Sequence, residues 1–129
     1  MIAIDTNILV RYFVADDETG FERASTLIET ELSVEAPGFV TSVSLCEIIW
    51  VLRNRYKFGY QAQTTIIGLM LAAGQLEIEH DDCVSAALYS KHPDIADAII
   101  HFIAADKGCT KTLTFDKKFA RLPGVELLK

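Results

Sequence analysis

Short apolar runs alternate along the chain with longer segments in which apolar residues recur every three or four positions. Runs of strand length occupy residues 2–4, 39–41, 76–79, 112–115 and 125–128. Segments with helical periodicity occupy residues 8–13, 16–32, 42–56, 61–73, 81–88 and 93–104. Because strands joined by helical crossovers pair in parallel, we expect an α/β fold. Its central sheet should be mostly parallel, with about five short strands and helices on both faces.

The size and composition of the chain are those of one domain with a hydrophobic core. It has 129 residues, of which half are hydrophobic, and we expect a single domain over residues 1–129. No apolar run approaches the roughly 18 residues of a membrane span. No basic segment precedes an apolar stretch in the manner of a signal peptide. We therefore expect a cytoplasmic protein with no membrane partner.

The cysteines and histidines are scattered along the sequence. Cys46, Cys83 and Cys109 are odd in number and form no C-x-x-C pair, so the sequence indicates neither a disulfide framework nor a zinc site. The three histidines show no partners at the spacing of metal ligands. All three cysteines lie in or beside apolar stretches, and we expect them to behave as small hydrophobic residues.

The net charge of −6 is distributed unevenly. Residues 1–100 carry six Lys and Arg against fifteen Asp and Glu, whereas residues 101–129 carry six against three. An acidic protein is a poor non-specific binder of nucleic acid. Local binding is still compatible with this charge if metal ions neutralise an acidic site and basic residues flank it. The basic C-terminal segment is equally compatible with an ordinary solvated surface.

The first strand-like run, residues 2–4, ends abruptly in Asp5, which Thr6 and Asn7 follow. Such a run suits a strand that is buried on both faces of a parallel sheet. Open α/β sheets bind ligands at the carboxyl ends of their strands, where Asp5 would lie. The simpler interpretation is that Asp5 or Thr6 caps a helix that starts near Asn7. Further carboxylates at matching positions are needed to favour a functional role.

Three further acids occupy such positions. Glu47 stands near the start of a helix that follows a strand, Asp97 in the first turn of the last long helix, and Asp116 directly after a strand. Each also has a structural explanation. Ser44-x-x-Glu47 matches a capping box, and Asp94 and Asp97 fit the N-cap and N3 positions of one helix. Asp116 can simply begin a turn.

The carboxyl ends of parallel strands share one edge of a sheet, so Asp5, Glu47, Asp97 and Asp116 are predicted to meet there. Four carboxylates in one place repel each other unless a cation joins them. Hard oxygen ligands favour Mg²⁺ or Mn²⁺. Two such ions about 4 Å apart can activate a water and stabilise the leaving oxygen in phosphodiester cleavage. Asp94, one turn before Asp97, is a further candidate ligand.

Four motifs in this chain resemble those of PIN domains and, within that group, those of the VapC toxins of bacterial and archaeal toxin–antitoxin pairs. They occur in the family's order across nearly the whole chain, and the first and last are the most specific. The motifs are Ile4-Asp5-Thr6-Asn7, Ser44-Leu45-Cys46-Glu47, Asp94-Ile95-Ala96-Asp97-Ala98-Ile99-Ile100 and Leu113-Thr114-Phe115-Asp116-Lys117-Lys118-Phe119.

The resemblance implies a three-layer α/β/α sandwich and a Mg²⁺- or Mn²⁺-dependent endoribonuclease. It implies that Asp5, Glu47, Asp97 and Asp116 are the catalytic, metal-binding acids. The supporting residues that it implies are Thr6, Asn7 and Thr114. It also implies an RNA substrate, a homodimer, and a small VapB-like antitoxin whose basic side chain reaches the acidic site. In such a pair the toxin inhibits translation.

Uncharged and aromatic residues are concentrated in the first half of the chain. Residues 61–73 form a helix-like segment without any charged residue. A small domain can hardly bury all of this apolar surface, so we expect part of it to lie in interfaces. The aromatic residues of this half that we expect to contribute are Phe13, Phe21, Trp50, Tyr56, Phe58 and Tyr60.

Other protein classes also place an acid after their first strand. A haloacid-dehalogenase-like phosphatase needs a second Asp two residues later, where Asn7 stands. A phosphate receiver domain needs a phosphoacceptor Asp in mid-chain, which residues 39–42 do not offer. Two alternatives stay open: a PIN-like RNA-binding or regulatory domain that does not cleave RNA, and a stand-alone RNA-processing PIN nuclease.

Overall fold

A computed structural model describes all residues from 1 to 129 and divides them into two compact units, Met1–Glu79 and His80–Lys129. Both units combine helices with parallel strands. The α/β class, with a parallel sheet flanked by helices, is therefore confirmed. None of the helices combines the length and the apolar character that crossing a bilayer requires.

The first unit contains three strands and four helices. Its strands pair in parallel in the order β1-β2-β3, with Ile2 opposite Gly38 and Val40 opposite Ile78. The strands are β1 (Ile2–Ala3), β2 (Gly38–Val40) and β3 (Leu76–Ile78). The helices are α1 (Thr6–Val14), α2 (Glu18–Thr26), α3 (Ser42–Asn54) and α4 (Tyr60–Ala72), and a π-helical turn at Leu27–Glu31 continues α2.

The second unit contains two helices and two strands. The helices α5 (Asp81–Ser90) and α6 (Ile95–Lys107) pack against each other. The strands β4 (Thr112–Thr114) and β5 (Val125–Leu127) pair in parallel, with Thr112 opposite Val125. A 3₁₀ turn at Phe119–Arg121 lies between them in sequence.

The prediction of one sheet with about five strands is wrong, because the strands divide into a three-stranded and a two-stranded sheet. Each strand is only two or three residues long. Such strands are shorter than the usual five or six residues and offer few backbone groups for pairing. Burial of β1 on both faces is also wrong: Ile2 is exposed on the edge strand, and only Ile4 of that run is buried.

Helix α3 carries much of the buried surface of the first unit. Leu45, Ile48, Ile49 and Leu52 recur at helical spacing and are all fully buried. Where β1 meets β2, a Cβ on Gly38 would lie 2.6 Å from Cγ1 of Ile4. A larger residue here would have to displace the Ile4 side chain, so glycine suits the place where β1 and β2 pair before α1 and α3 begin.

Helix α6 carries much of the buried surface of the second unit. Ile95, Ala98 and Ile99 are buried along one side of this helix. Nδ1 of the buried His101 lies 2.8 Å from Oγ1 of Thr112, which ties the middle of α6 to the start of β4. The helix ends at Gly108, whose φ of 108° lies in the left-handed region that favours glycine.

The aromatic residues expected at interfaces are mostly half-buried within the fold. Tyr12 makes an edge-to-face contact with Phe13 and stacks on Phe21, with ring centroids 4.9 Å and 5.9 Å apart. Burial raises the pKa of Tyr56, and a hydrogen bond to Asp16 raises it further. Among the six aromatic residues expected at interfaces, Trp50 alone is exposed.

Candidate metal-binding and catalytic site

Asp5 lies two residues after the end of β1 and occupies the N-cap position of α1. Its backbone has the extended conformation of an N-cap residue, with φ −77° and ψ 156°, but its side chain makes no capping hydrogen bond. The residue is exposed. The interpretation of Asp5 as a capping side chain is therefore wrong, and its carboxylate is not used to satisfy the helix end.

The hydroxyl of Thr6, the first residue of α1, is buried without a hydrogen-bond partner. Thr6 is only 3% exposed, and its Oγ1 makes no hydrogen bond. Burying a polar group without a partner costs about 1–3 kcal/mol. An unpaired oxygen on the residue that follows Asp5 fits a bound polar group, such as a hydrated cation, after the carboxyl end of β1. The oxygen donors present here suit Mg²⁺ or Mn²⁺.

Glu47 does not close the start of α3. The N-cap residue is Thr41, whose Oγ1 accepts a hydrogen bond from the N–H of Ser44 at 3.1 Å. Oε1 of Glu79 accepts a second one, from the N–H of Ser42, at 2.8 Å. The predicted Ser44–Glu47 capping box is wrong because the helix starts before Ser44. Glu47 instead lies in the second turn, where it is exposed.

Asp5 and Glu47 belong to helices that begin at the same edge of the three-stranded sheet. β1 and β2 are parallel neighbours, and the N–H of Ile4 donates to the carbonyl of Phe39 at 2.9 Å. Helix α1 starts directly after β1, α3 starts directly after β2, and the two helices pack together. The first unit therefore contributes two acids on the carboxyl-end side of its sheet.

The start of α6 carries both Asp94 and Asp97. Asp94 is the N-cap residue, and its Oδ1 accepts a hydrogen bond from the N–H of Asp97 at 3.0 Å. Asp97 is a half-buried acid in the first turn, where the helix dipole favours negative charge. The predicted N-cap and N3 positions are confirmed. Asp94 thus has a capping role that Asp97 does not share.

Asp116 follows β4 and organises the turn after it. Its Oδ1 accepts hydrogen bonds from the N–H groups of Lys118 at 2.8 Å and Phe119 at 3.3 Å. Its own N–H donates to Oγ1 of Thr114 at 3.0 Å. The turn predicted for Asp116 is confirmed, and the Thr114 hydroxyl fixes the backbone of the acid that follows it.

Asp97 and Thr114 lie on α6 and β4, the two elements that the His101–Thr112 hydrogen bond joins. Residues 108–111 connect these two elements, and His101 is hydrogen-bonded to Thr112 across them. Asp97 is one turn before His101, about 6 Å back along the helix. Thr114 is two residues beyond Thr112, about 6.6 Å along the strand. The second unit therefore also carries two of the acids, Asp97 in the first turn of α6 and Asp116 two residues after the end of β4.

Asn7 is exposed and lines a cleft of about 530 Å³ beside α1 and α2. The wall of this cleft has apolar and charged parts, and an ion pair of 3.4 Å between Arg11 and Asp17 lies in it. The same cleft is also lined by Ile8, Arg23, Leu27 and Glu31.

Two features of the structure were not predicted from the sequence. One is Glu79, whose place at the start of α3 depends on a contact 37 residues away in sequence. The other is a set of ligating groups on His80, Cys83 and Asp106, whose ligand atoms all lie within 4.8 Å of one another. In the sequence, this group was indicated only by the spacing of His80 and Cys83, which are three residues, or about one helical turn, apart. The expectation that no histidine has partners at ligand spacing is therefore wrong.

The three cysteines differ in their environments. Cys83 is buried and Cys46 is half-buried, whereas Cys109 is exposed, so the expectation of three small hydrophobic residues fails for Cys109. Burial raises the pKa of the Cys83 thiol. The carboxylates of Asp106, Asp82 and Asp81 raise this pKa further, because they disfavour a nearby thiolate.

Comparison with known proteins identifies one family. The family model described as PIN domain matches residues 2–125, which is nearly the whole chain and includes parts of both compact units. No curated protein shows significant similarity to the chain. PIN domains are generally nucleases and typically bind divalent metals. The extent of the match, over strands and helices that form a parallel α/β structure, shows that this chain belongs to the PIN domain family.

Proposed function

We propose that this protein is an endoribonuclease that depends on Mg²⁺ or Mn²⁺. Its metal ligands and catalytic acids are Asp5, Glu47, Asp97 and Asp116. The observation that carries the proposal is that Thr41 and Glu79 satisfy the start of α3. Glu47 is therefore an exposed acid with no capping task, as Asp5 is at the start of α1.

The residues of the chain have distinct roles in the proposed cleavage. The four carboxylates supply oxygen ligands, and the buried Thr6 hydroxyl supplies a polar atom that lacks a partner within the protein. A divalent ion, when bound, activates a water and stabilises the leaving oxygen of a phosphodiester. Thr114 holds the backbone of Asp116 through the hydrogen bond to its N–H. Asn7 presents an exposed amide two residues after Asp5, where it can contact a phosphate.

The residues next to Asp116 support RNA as the substrate of an otherwise acidic protein. Lys117 and Lys118 follow Asp116 directly, and both are exposed. Contacts from lysine to phosphate position a nucleic acid without reading its sequence. Removing two such contacts should weaken RNA binding at every sequence and lower the salt dependence of binding. A Lys117→Ala/Lys118→Ala variant should therefore bind RNA more weakly than a Lys91→Ala control, whose lysine lies at the end of α5.

A direct cleavage assay tests the proposed activity. Purified protein is incubated with labelled RNA in Mg²⁺, in Mn²⁺ and in excess chelator. Internal cleavage products should appear with either ion and be absent with chelator. RNA that is bound but never cut in either ion would contradict the proposal. That outcome would favour the alternative of a PIN-like RNA-binding or regulatory domain.

We further propose that the protein is the toxin of a VapBC-type pair and binds a small antitoxin. The cleft beside α1 and α2 supports this, because Ile8 and Leu27 offer apolar contacts close to Asn7 in its wall. An antitoxin segment with apolar anchors could lie there and aim a basic side chain at Asp5 and Asp97. A small reading frame beside this gene should encode a protein that binds the chain and suppresses cleavage. A neighbour that does neither would favour a stand-alone RNA-processing nuclease.

We propose in addition that the protein forms a homodimer. Val43 and Trp50 lie seven residues apart on one face of α3, and both are exposed. Two large apolar side chains at one face are the kind of surface that interfaces use. Sedimentation should show a dimer at micromolar concentration that Trp50→Ser weakens. The control is Tyr89→Ser, another exposed aromatic residue. A strictly monomeric wild-type protein would contradict this proposal.

A further inference from the structure

A second group of metal-ligating side chains, within the second unit, shares no residue with the four acids described above. It consists of His80, Cys83 and Asp106, which offer an imidazole nitrogen, a thiol sulfur and a carboxylate oxygen. These ligand atoms all lie within 4.8 Å of one another. Such a mixed set differs from the all-oxygen carboxylates of the proposed nuclease site, so it should select a different kind of ion.

The packing of α5 on α6 brings these three residues together. His80 is the N-cap residue of α5, and its φ of 55° is left-handed. Cys83 is in the first turn of α5, and its Sγ lies 3.5 Å from the carbonyl oxygen of Phe102 on α6. Asp106 is one turn beyond Phe102, near the end of α6. Each helix therefore contributes at least one ligand, and the buried Cys83 marks the point where the two helices meet.

We propose that His80, Cys83 and Asp106 bind a Zn²⁺-like transition-metal ion that joins the start of α5 to the end of α6. Imidazole and thiolate ligands favour zinc over Mg²⁺, which prefers oxygen alone. Three protein ligands with a fourth position open to water make a four-coordinate site. Binding requires the Cys83 thiol to release its proton to solvent, because the thiolate is the ligand.

The spacing of the three groups is compatible with an ion after small side-chain movements. Zinc–ligand bonds of about 2.0–2.3 Å at tetrahedral angles place ligand atoms roughly 3.5 Å apart. The three ligand atoms are at most 4.8 Å apart, so each pair has to approach by no more than about 1 Å. His80 and Asp106 are exposed and can adjust, whereas the buried Cys83 stays in place. The carboxylates of Asp81 and Asp82, beside His80, add negative charge that attracts a cation.

The proposed ion lies away from Asp97, the nuclease acid on the same helix. Asp106 lies nine residues beyond Asp97 on the same helix, which corresponds to about 13 Å along its axis. The ion would therefore stabilise the helix pair that carries Asp97 without taking part in RNA cleavage. This inference does not depend on the proposed function, since a protein without nuclease activity could bind the same ion.

Cobalt substitution tests the proposal with a signal that only a thiolate ligand produces. Co²⁺ is added to the Asp5→Asn/Asp97→Asn double variant, so that the proposed nuclease site contributes little. We expect about one equivalent of Co²⁺ to give a sulfur-to-cobalt charge-transfer absorption in the near ultraviolet. The absorption should be lost in Cys83→Ala and kept in the control Cys109→Ala, which removes an exposed cysteine. Its absence from the starting protein, or its persistence in Cys83→Ala, would overturn the proposal.

Two exposed ligands provide a second test in case Cys83→Ala fails to fold. His80→Asn keeps a residue type that tolerates a positive φ, and Asp106→Asn changes only charge. Even the loss of a residue that only hydrogen-bonds to a metal ligand costs roughly 10- to 100-fold in metal affinity. Each substitution should therefore weaken Zn²⁺ binding, measured by calorimetry in the same double variant, by at least about 100-fold. Unchanged affinity in both variants would show that zinc binds elsewhere.

Discussion

The carboxylate of Glu79 accepts a hydrogen bond from the N–H of Ser42, with 2.8 Å between Oε1 and the nitrogen. The contact joins the residue after β3 to the first residue of α3. A negative charge at a helix N-terminus is favoured by the helix dipole and by the unpaired N–H groups there. α3 thus has an acid at its start that is not Glu47.

Glu79→Gln should lower the stability of the protein. The substitution keeps the shape of the side chain and removes the charge from a part-buried hydrogen bond. Hydrogen bonds to charged groups contribute about 1.5–3 kcal/mol, so we expect a loss of about 1.5 kcal/mol in the free energy of unfolding. Urea denaturation measures this loss in the free energy of unfolding. Glu77→Gln, an exposed position on β3, is the control and should change little. Equal midpoints for the two variants would contradict the role of Glu79.

Thr41→Ala should also destabilise the protein, because it removes the side chain that caps α3. Loss of an N-cap hydroxyl costs about 1 kcal/mol. Ser44→Ala should cost clearly less, since Ser44 uses only its backbone N–H in the cap. Thermal or urea unfolding distinguishes the two. A larger loss of stability in Ser44→Ala than in Thr41→Ala would favour the Ser44–Glu47 capping box. Glu47 would then be engaged in the cap and not available to bind metal.

Asp94 and Asp97 should behave differently when each is changed to asparagine. Asparagine is as good an N-cap residue as aspartate, so Asp94→Asn should preserve the cap of α6. We expect this variant to keep most of its RNA cleavage. Asp97→Asn should lose cleavage because it removes a charge from the proposed metal site. If Asp94→Asn also abolished cleavage while folding normally, Asp94 would have to be counted among the metal ligands.

Mg²⁺ or Mn²⁺ should raise the melting temperature of the wild-type protein. An ion that binds only the folded state stabilises it by mass action, by about 2.7 kcal/mol at 100 times its dissociation constant. That stabilisation should shift the melting temperature by several degrees. The Asp5→Asn/Asp97→Asn variant should show a much smaller shift in scanning calorimetry. Equal shifts in the two proteins would place the ions elsewhere.

Much of the fold could be predicted because local patterns decide it. The apolar residues of α3 at helical spacing indicate a helix, and Gly108 indicates where α6 ends. Asp94 at the N-cap and Asp97 at N3 follow from a spacing of three. The division of the strands into two sheets could not be predicted. Strands of two or three residues pair through few hydrogen bonds, and no local pattern shows which neighbours they take.

Some parts of the site escaped prediction for a local reason, and others because they depend on contacts between distant segments. Thr41 rather than Ser44 caps α3: the helical segment was predicted to start at residue 42, but the capping-box pattern favoured Ser44 over the residue before that start. Glu79 reaches Ser42 only once β2 and β3 have paired. His80 and Cys83 were one turn apart in sequence, but Asp106 joins them only through the packing of α5 on α6.

RNA cleavage by single amide variants tests the central claim most directly. Asp5→Asn, Glu47→Gln, Asp97→Asn and Asp116→Asn are compared with wild type in Mn²⁺, and Glu22→Gln, an exposed acid of α2, is the control. Circular dichroism verifies that each variant is folded. We predict that the Asp5 and Asp97 variants lose cleavage, that the other two are strongly impaired, and that Glu22→Gln cleaves like wild type. Wild-type rates in both Asp5→Asn and Asp97→Asn would contradict the assignment of these acids as the metal site.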